Sequence, residues 1–300
     1  MLKFKTPDIN DIDWVQECFS HAHSMNCEYT FGTSYLWHTA YKTVIAHYKD
    51  YFICRWGKDE DVSYSLPIGK GDFKDAVQQI IDDAKSFGIK PRIYGVTESY
   101  KTMLEEAFPN KFRYVYDDGC NDYIYNVSDL AELHGKKYHG KRNHITNFKK
   151  NNPDWQYEEI TEDNIADCIE LHTSWIFDKD ENDADYSLEF EAVLTGFENY
   201  KELGFKGGII RVNSKAIAYT YGEKISDKCF VSHFEKAPAE IQGAYAIINQ
   251  EFAKRLAEDG YEFVNREEDL GLEGLRKAKQ SYHPAIWLKK ELAVYEDCFH

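Results

Sequence analysis

Residues 266 to 269 read Arg-Glu-Glu-Asp and follow directly on YEFVN, which reads as a strand. A carboxylate there can take a proton from an attacking amine or hydroxyl, which makes Glu267 and Glu268 candidate general bases. Arg266 can clamp a carboxylate or phosphate through two parallel N–H bonds. The C-terminal end of a strand is also where ligand crevices open in α/β sheets. The ordinary alternative is a helix N-terminus, whose dipole favours acids, with Asp269 as its cap. His233 and Glu235 share one face of the strand VSHFEK and form a second candidate acid–base pair. Tyr282 is a candidate general acid, the alternative being a hydroxyl that caps a core.

Positive charge is concentrated elsewhere. KKYHGKRNHITNFKK, Lys136 to Lys150, holds six Lys or Arg and no acid, in a chain whose formal net charge is −16. The spacing predicts a helix from about Ser128, with Leu130, Leu133, Lys137, Lys141, His144, Ile145 and Phe148 on one stripe. Two lysines on an inward-facing stripe must snorkel, pair with an acid or meet an anion, because burying an unpaired ammonium is costly. Arg142, His139, Lys149 and Lys150 point elsewhere. Arg276, Lys277 and Lys279 form a second basic run, with Glu273 placed to pair with Arg276 or Lys277. The candidate anion-binding set is therefore Lys137, Lys141, Arg142, Arg266, Arg276, Lys277 and Lys279.

The elements that position these residues are clearest in the second half. WQYEEI alternates like a strand, TEDNIADCIELHTSWIF and YSLEFEAVLTGFENYKELG have helical spacing, and GGIIRV and AIAYTYGEKI form a hairpin turning at Asn213-Ser214-Lys215. CFVSHFEKA follows as a third strand. The helix IQGAYAIINQEFAKRLAEDG then carries Ala244, Ile247, Ile248, Phe252 and Leu256 on one stripe and stops at Gly260. YEFVN, LEGLRKAKQSY and AIWLKKELAVY supply a strand, a helix and a strand. The first half runs in nearly the same order, from LKFKT through the hairpin KTVIAHY/YFICRW to FRYVY. This repetition predicts an α+β chain with an internal duplication, each half a mixed sheet flanked by helices. The expected division is 1–127, a connecting basic helix 128–152, and 153–300 as the active domain.

Composition excludes several classes. Apolar residues at 43% and charged residues at 29% are globular values. No apolar run approaches the roughly 18 residues that span a bilayer, and MLKFKTPDIND lacks the core of a signal peptide, so a cytoplasmic protein is expected. The seven cysteines are odd in number, dispersed and never in a CxxC pair. His21 and His23 are close, but no HExxH-type spacing occurs, so no metal is implied. The acidic balance argues against a protein that coats nucleic acid, although one basic channel on an acidic body still accepts an anionic ligand.

The three-strand meander followed by a long helix resembles the GNAT (N-acetyltransferase) superfamily. In EKAPAEIQGAYAI, Gln242, Gly243, Ala244 and Tyr245 resemble a degenerate form of that family's donor-pyrophosphate loop, which implies coenzyme A as a cofactor and those four residues as its contacts. Small residues at a helix N-terminus also let backbone N–H groups approach phosphate. The alternative is that Gly243 serves close packing. Two segments, DLAELHGKKYHGKRNHITNF and NREEDLGLEGLRKAKQSYHP, resemble the bacterial family of the phosphatidylglycerol lysyltransferase C-terminal domain, a tandem-GNAT arrangement related to Fem-type aminoacyltransferases. That resemblance implies transfer of an acyl or aminoacyl group from an acyl-CoA or aminoacyl-tRNA donor to a small-molecule or peptide amine, or to a hydroxyl. The alternative is a degenerate transferase that binds an anionic metabolite without chemistry.

Overall fold

Most of the runs with strand-like spacing form strands in the computed structural model, which describes residues 2–22, 24–58, 61–177 and 184–296. His23 and Cys298 lie outside the described residues. The first strands are β1 (Val44–Tyr48), β2 (Tyr51–Trp56), β3 (Ser63–Ser65), β4 (Ile68–Gly69), β5 (Arg92–Val96) and β6 (Phe112–Tyr116). Then come β7 (Asp122–Asn126), β8 (Gln156–Glu159), β9 (Lys206–Val212), β10 (Lys215–Ser226), β11 (Cys229–Lys236) and β12 (Phe263–Asn265). The stretch read as one final strand is two, β13 (Ile286–Leu288) and β14 (Glu291–Tyr295), and the N-terminal LKFKT contributes only a bridge between Lys5 and Ile45.

Two mixed sheets result, ordered β1-β2-β3-β5-β14-β6, with β4 against β2, and β13-β7-β12-β11-β10-β9-β8. Each contains an antiparallel hairpin followed by a parallel pair, β3 with β5 and β11 with β12. A parallel pair requires a crossover, and the helices Phe73–Ser86 and Ala244–Glu258 provide one in each sheet. The fold is thus α+β with two mixed sheets flanked by helices.

The chain divides differently from the expected boundaries. One compact unit is Met1–Asp122 with Glu268–Leu272 and Trp287–His300; the other is Tyr123–Glu267 with Glu273–Ile286. The C-terminal strand β14 is the reason: it pairs antiparallel with both β5 and β6, whose facing edges would otherwise hold unbonded N–H and C=O groups. Likewise β7 precedes the basic segment yet pairs with β12 in the second sheet.

The basic segment is not one helix. A short helix Val127–Glu132 ends at Leu133 in the left-handed conformation (φ 53°), Lys136–Tyr138 make a 3-10 turn, and a second helix runs His139–Asn151. The Arg142 guanidinium fills the break by donating to the carbonyls of Leu133 and Gly135. Leu130, Leu133, Ile145 and Phe148 are buried as the stripe requires, whereas Lys137 is exposed because the break puts it in the 3-10 turn, and His144 is exposed on the helix itself. Ile145 and Phe148 join Leu133, Tyr138, Ile210, Ile217, Ile247 and Ile248 in one core of the second unit. Each such apolar side chain contributes roughly 1.5–3 kcal/mol by burial. That burial fixes the helix His139–Asn151, and with it Lys141, against the rest of the unit.

The predicted stripe of the helix Ala244–Glu258 is buried throughout. The β9–β10 hairpin turns through Asn213 and Ser214, both at positive φ, as a two-residue type I′ turn requires. Among the described residues, no helix is long and apolar enough to cross a membrane, and no disulfide forms.

One irregularity positions the chemistry. Along β10 and β11, Tyr221 faces Phe234 but Gly222 faces Ser232, so His233 is the extra residue of a β-bulge. A Cβ on Gly222 would lie 1.8 Å from the Val231 carbonyl oxygen, so the bulge forms only over a glycine. Gly222→Ala is therefore expected to destabilise the protein by about 2 kcal/mol or more, the upper range for overpacking a fixed site, as read from urea unfolding midpoints.

Candidate functional site

The parallel pair β11/β12 is in register only from Cys229↔Phe263 to Val231↔Asn265, while β11 runs on to Lys236. Beyond Asn265 the two strands part, and polar side chains from several elements of the second unit fill the opening. Asn265 turns the chain by accepting a hydrogen bond from the Glu267 N–H at 2.7 Å, with Glu267 at φ 57°. Arg266 is fixed between these two residues, its own N–H donating to the Tyr123 carbonyl at 2.9 Å.

Arg266 donates from Nη2 to Glu235 Oε1 at 2.8 Å, and both side chains are nearly buried. The other Glu235 oxygen accepts from Asn249 Nδ2 at 3.3 Å. The guanidinium carbon stands 5.0 Å from the Tyr282 ring centroid and 5.7 Å from that of Tyr125. Lys141 Nζ sits 3.6 Å from the same Tyr282 ring. Burial, then the neighbouring Arg266 charge, lowers the Lys141 pKa to about 8, with Glu235 opposing both. Two cations therefore share one carboxylate in a poorly solvated place. Two buried atoms of the cluster, Arg266 Nη1 and Asn249 Oδ1, have no hydrogen-bond partner among the described residues.

The structure brings Lys141, Arg266 and Tyr282 together, and Lys279 supports them by donating from Nζ to the Arg266 carbonyl. The basic segment does pack beside residues 273–283, through Tyr138 Oη to the Tyr282 carbonyl at 3.0 Å and His283 to the Lys137 carbonyl at 3.2 Å. The remaining cations are used elsewhere. Lys137 is half exposed and 3.6 Å from Asp129, Arg142 caps the preceding helix, and Lys277 pairs with Glu273 at 2.5 Å. Arg276 is partly exposed on the helix Glu273–Gln280. Tyr282 is 5% exposed, and burial raises its hydroxyl pKa, so it serves as the aromatic floor beneath two cations.

The expected His233–Glu235 pair does not form, because the bulge breaks the alternation that would have paired them. His233 is instead clamped between Glu223 (Nε2 to Oε1, 2.9 Å) and Glu267 (Nδ1 to Oε1, 2.8 Å). Burial pushes the imidazole pKa down, but hydrogen bonds and charge from the two carboxylates outweigh it and raise the value to about 9. His233 is thus an imidazolium that anchors Glu267.

Glu268, the next residue, is committed within the first unit. The ammonium of Lys290, 3% exposed, bonds Glu268 and lies 2.7 Å from Asp122, 3.4 Å from Glu28 and 3.7 Å from Cys27 Sγ. Burial lowers the Lys290 pKa, and the surrounding charges, led by Asp122, more than reverse this and hold it well above the usual value. Cys27, Asp122 and Glu268 are close enough to one another to ligate a metal, but the Lys290 ammonium already stands among them.

At the start of the helix Ala244–Glu258, Gly243 has φ 87°, and a Cβ there would lie 2.6 Å from the His144 carbonyl oxygen and 3.0 Å from Phe148 Cβ. Gly243 therefore serves close packing under the helix His139–Asn151. Gln242 and Tyr245 are exposed beside it.

The clamp on His233 gives a signed pH dependence. Its folded pKa near 9 exceeds the ordinary 6.5, so its stabilisation is complete below about pH 6.5 and is lost as pH rises through 9. Urea unfolding of the wild type and His233→Gln is expected to differ by about 3 kcal/mol at pH 6, and by less than half of that at pH 10.

The family model described as phosphatidylglycerol lysyltransferase, C-terminal, matches residues 19–294. A conserved protein of unknown function from Bacteroides thetaiotaomicron VPI-5482 is 38% identical, with a TM-score of 0.91 over 99% of this chain and 100% of that one. The C-terminal domain of a putative lysylphosphatidylglycerol synthetase from Agrobacterium fabrum gives a TM-score of 0.70 at 16% identity, covering 96% and 92% of the two chains. L-PGS from Bacillus licheniformis gives 0.67 at 15%, covering 98% and 94%. At such identities the last two show the fold alone, the α+β arrangement of two mixed sheets flanked by helices. No curated protein matches the chain. With a family model spanning nearly its whole length and a crystal structure at 38% identity superposing end to end, the chain belongs to the phosphatidylglycerol lysyltransferase C-terminal family.

Proposed function

We propose that the second unit transfers an acyl or aminoacyl group to an amine or hydroxyl acceptor at the cluster of Arg266, Lys141 and Glu235. Membership in a family named for a lysyltransferase supports group transfer. The observation that carries the reading is a half-buried lysine packed 3.6 Å over the Tyr282 ring, where burial and the Arg266 charge lower its pKa, beside a buried arginine whose Nη1 has no hydrogen-bond partner among the described residues. Lysines so shifted near neutrality serve acid–base chemistry, and a fixed N–H donor in a poorly solvated site stabilises an oxyanion.

In the proposed step, neutral Lys141 takes the proton from the attacking N–H or O–H as its lone pair bonds to the acyl carbon. The carbonyl oxygen becomes an oxyanion against Arg266. Collapse breaks the bond to the leaving oxygen or sulfur, which receives the proton back from Lys141. Of the two expected donors, an aminoacyl ester suits this geometry better than coenzyme A. Gly243 is packed under His144, which leaves that face of the turn to the protein and not to a pyrophosphate.

A second reading, a binding module for an anionic metabolite, is favoured by one observation: His233, Glu267 and Glu268 are all engaged in ion pairs. Single-turnover assays with aminoacyl-tRNA and acyl-CoA donors, and with amines, peptides and phosphatidylglycerol vesicles as acceptors, decide between the two. Transfer predicts loss of the donor's acyl bond, with a rate that rises through about pH 8. Lys141→Met and Lys141→Arg should both lower that rate by 10²-fold or more, as loss of a general base does. If Lys141→Arg retains activity, the residue supplies charge alone, and saturable donor binding without turnover in the wild type would establish the binding module.

A further inference from the structure

Among the described residues the two sheets end in β1, β6, β8 and β13. An open sheet edge invites a further strand, and three of these four carry a device against it. β1 is bridged by the N-terminal segment, where Lys5 and Ile45 exchange hydrogen bonds of 2.9 and 2.8 Å. β8 has two acids in four residues, Glu158 and Glu159, and β13 is three residues long. β6 reads FRYVY, without proline or acid, and pairs with β14 without a bulge. Its one charge, Arg113, is met by Glu296 at 2.9 Å, while Val115 and Tyr116 are 37% and 48% exposed.

The direction of its open backbone groups follows from β14. The Glu296 N–H donates to the Lys111 carbonyl at 2.8 Å and the Tyr295 N–H to the Pro91 carbonyl at 3.0 Å, so even-numbered residues of β14 face β6 and Tyr295 faces β5. In the register Val294↔Arg113 and Leu292↔Val115, Arg113 and Val115 bond to β14. Phe112, Tyr114 and Tyr116 therefore direct N–H and C=O outward, where no other strand pairs with them among the described residues. We propose that this edge binds β6 of a second copy of the chain, antiparallel across a twofold axis at Tyr114. That register sets Tyr114 against its own counterpart and Phe112 against Tyr116, and forms roughly six N–H···O bonds. It also sets Lys111, partly exposed, against Asp117, exposed, at both ends of the seam. Opposite charges therefore meet twice and like charges never, since Arg113 falls against Val115. This self-complementary pattern favours a second copy over an unrelated strand.

Sedimentation equilibrium of the full chain, with amide hydrogen exchange at low and high protein concentration, tests the proposal. A five-residue edge is a small interface, so a reversible dimer with a dissociation constant of roughly 100 µM or tighter is expected. In that dimer the amides of Phe112, Tyr114 and Tyr116 should gain protection from exchange, a wild-type measurement that needs no variant to fold. Lys111→Asp and Asp117→Lys should each weaken the dimer about tenfold, because the twofold axis places two like-charge pairs in the seam. The double swap should restore it to within about threefold. A chain still monomeric at about 300 µM would overturn the proposal. So would a dimer that leaves the three amides unprotected, or one that the double swap does not restore. Protection of those amides by an added extended peptide, in a chain that stays monomeric, would assign the edge to another partner and equally overturn it.

Discussion

The site of the second unit depends on one carboxylate in the gap where two parallel strands part. Glu235 holds Arg266 on one oxygen and Asn249 on the other. Its charge also acts on Lys141, favouring the ammonium. Two positive groups against one negative group cannot both be fully compensated away from water. The arginine, with the far higher intrinsic pKa, keeps its proton, and the lysine becomes the group that exchanges one near neutral pH. The catalytic proposal is a consequence of that imbalance.

Other features of the second unit hold the carboxylate there. The bulge at His233 needs Gly222, and the imidazolium it delivers fixes Glu267 and therefore the turn that carries Arg266. Lys279 fastens the Arg266 carbonyl from the opposite side. Buried ion pairs of this kind contribute little net stability against well-packed apolar groups, so their value lies in placing particular atoms. The Lys290 cluster of the first unit belongs to the same class: an ammonium surrounded by Asp122, Glu28 and Glu268, which orders the loop carrying Glu268.

Much of this was legible in the sequence. Periodicity gave the helix Ala244–Glu258 and the hairpin at Asn213, and the snorkelling argument singled out Lys141. Period alone could not show the break at Leu133, because a left-handed leucine closed by a distant Arg142 is a tertiary effect. For the same reason Lys137 was placed on a stripe it does not occupy. His233 was paired with Glu235 by strict alternation, which one extra residue undoes. The C-terminal return of β14 was invisible because strand pairing between distant segments leaves no local signal. Arg266, Glu235 and Glu268 were legible as candidates, but their partners Asn249, on the edge of an apolar stripe, and Lys290, inside a strand-like run, were not singled out.

The central claim is that the arginine and burial together hold Lys141 close to neutrality. Its ammonium can be titrated directly by NMR with lysine labelled at Cε and Nζ, assigned by comparison with Lys141→Met. A midpoint near pH 8, moving upward in Arg266→Gln, is the expected result. A midpoint at the ordinary lysine value of 10.5, unchanged by that substitution, would contradict the account.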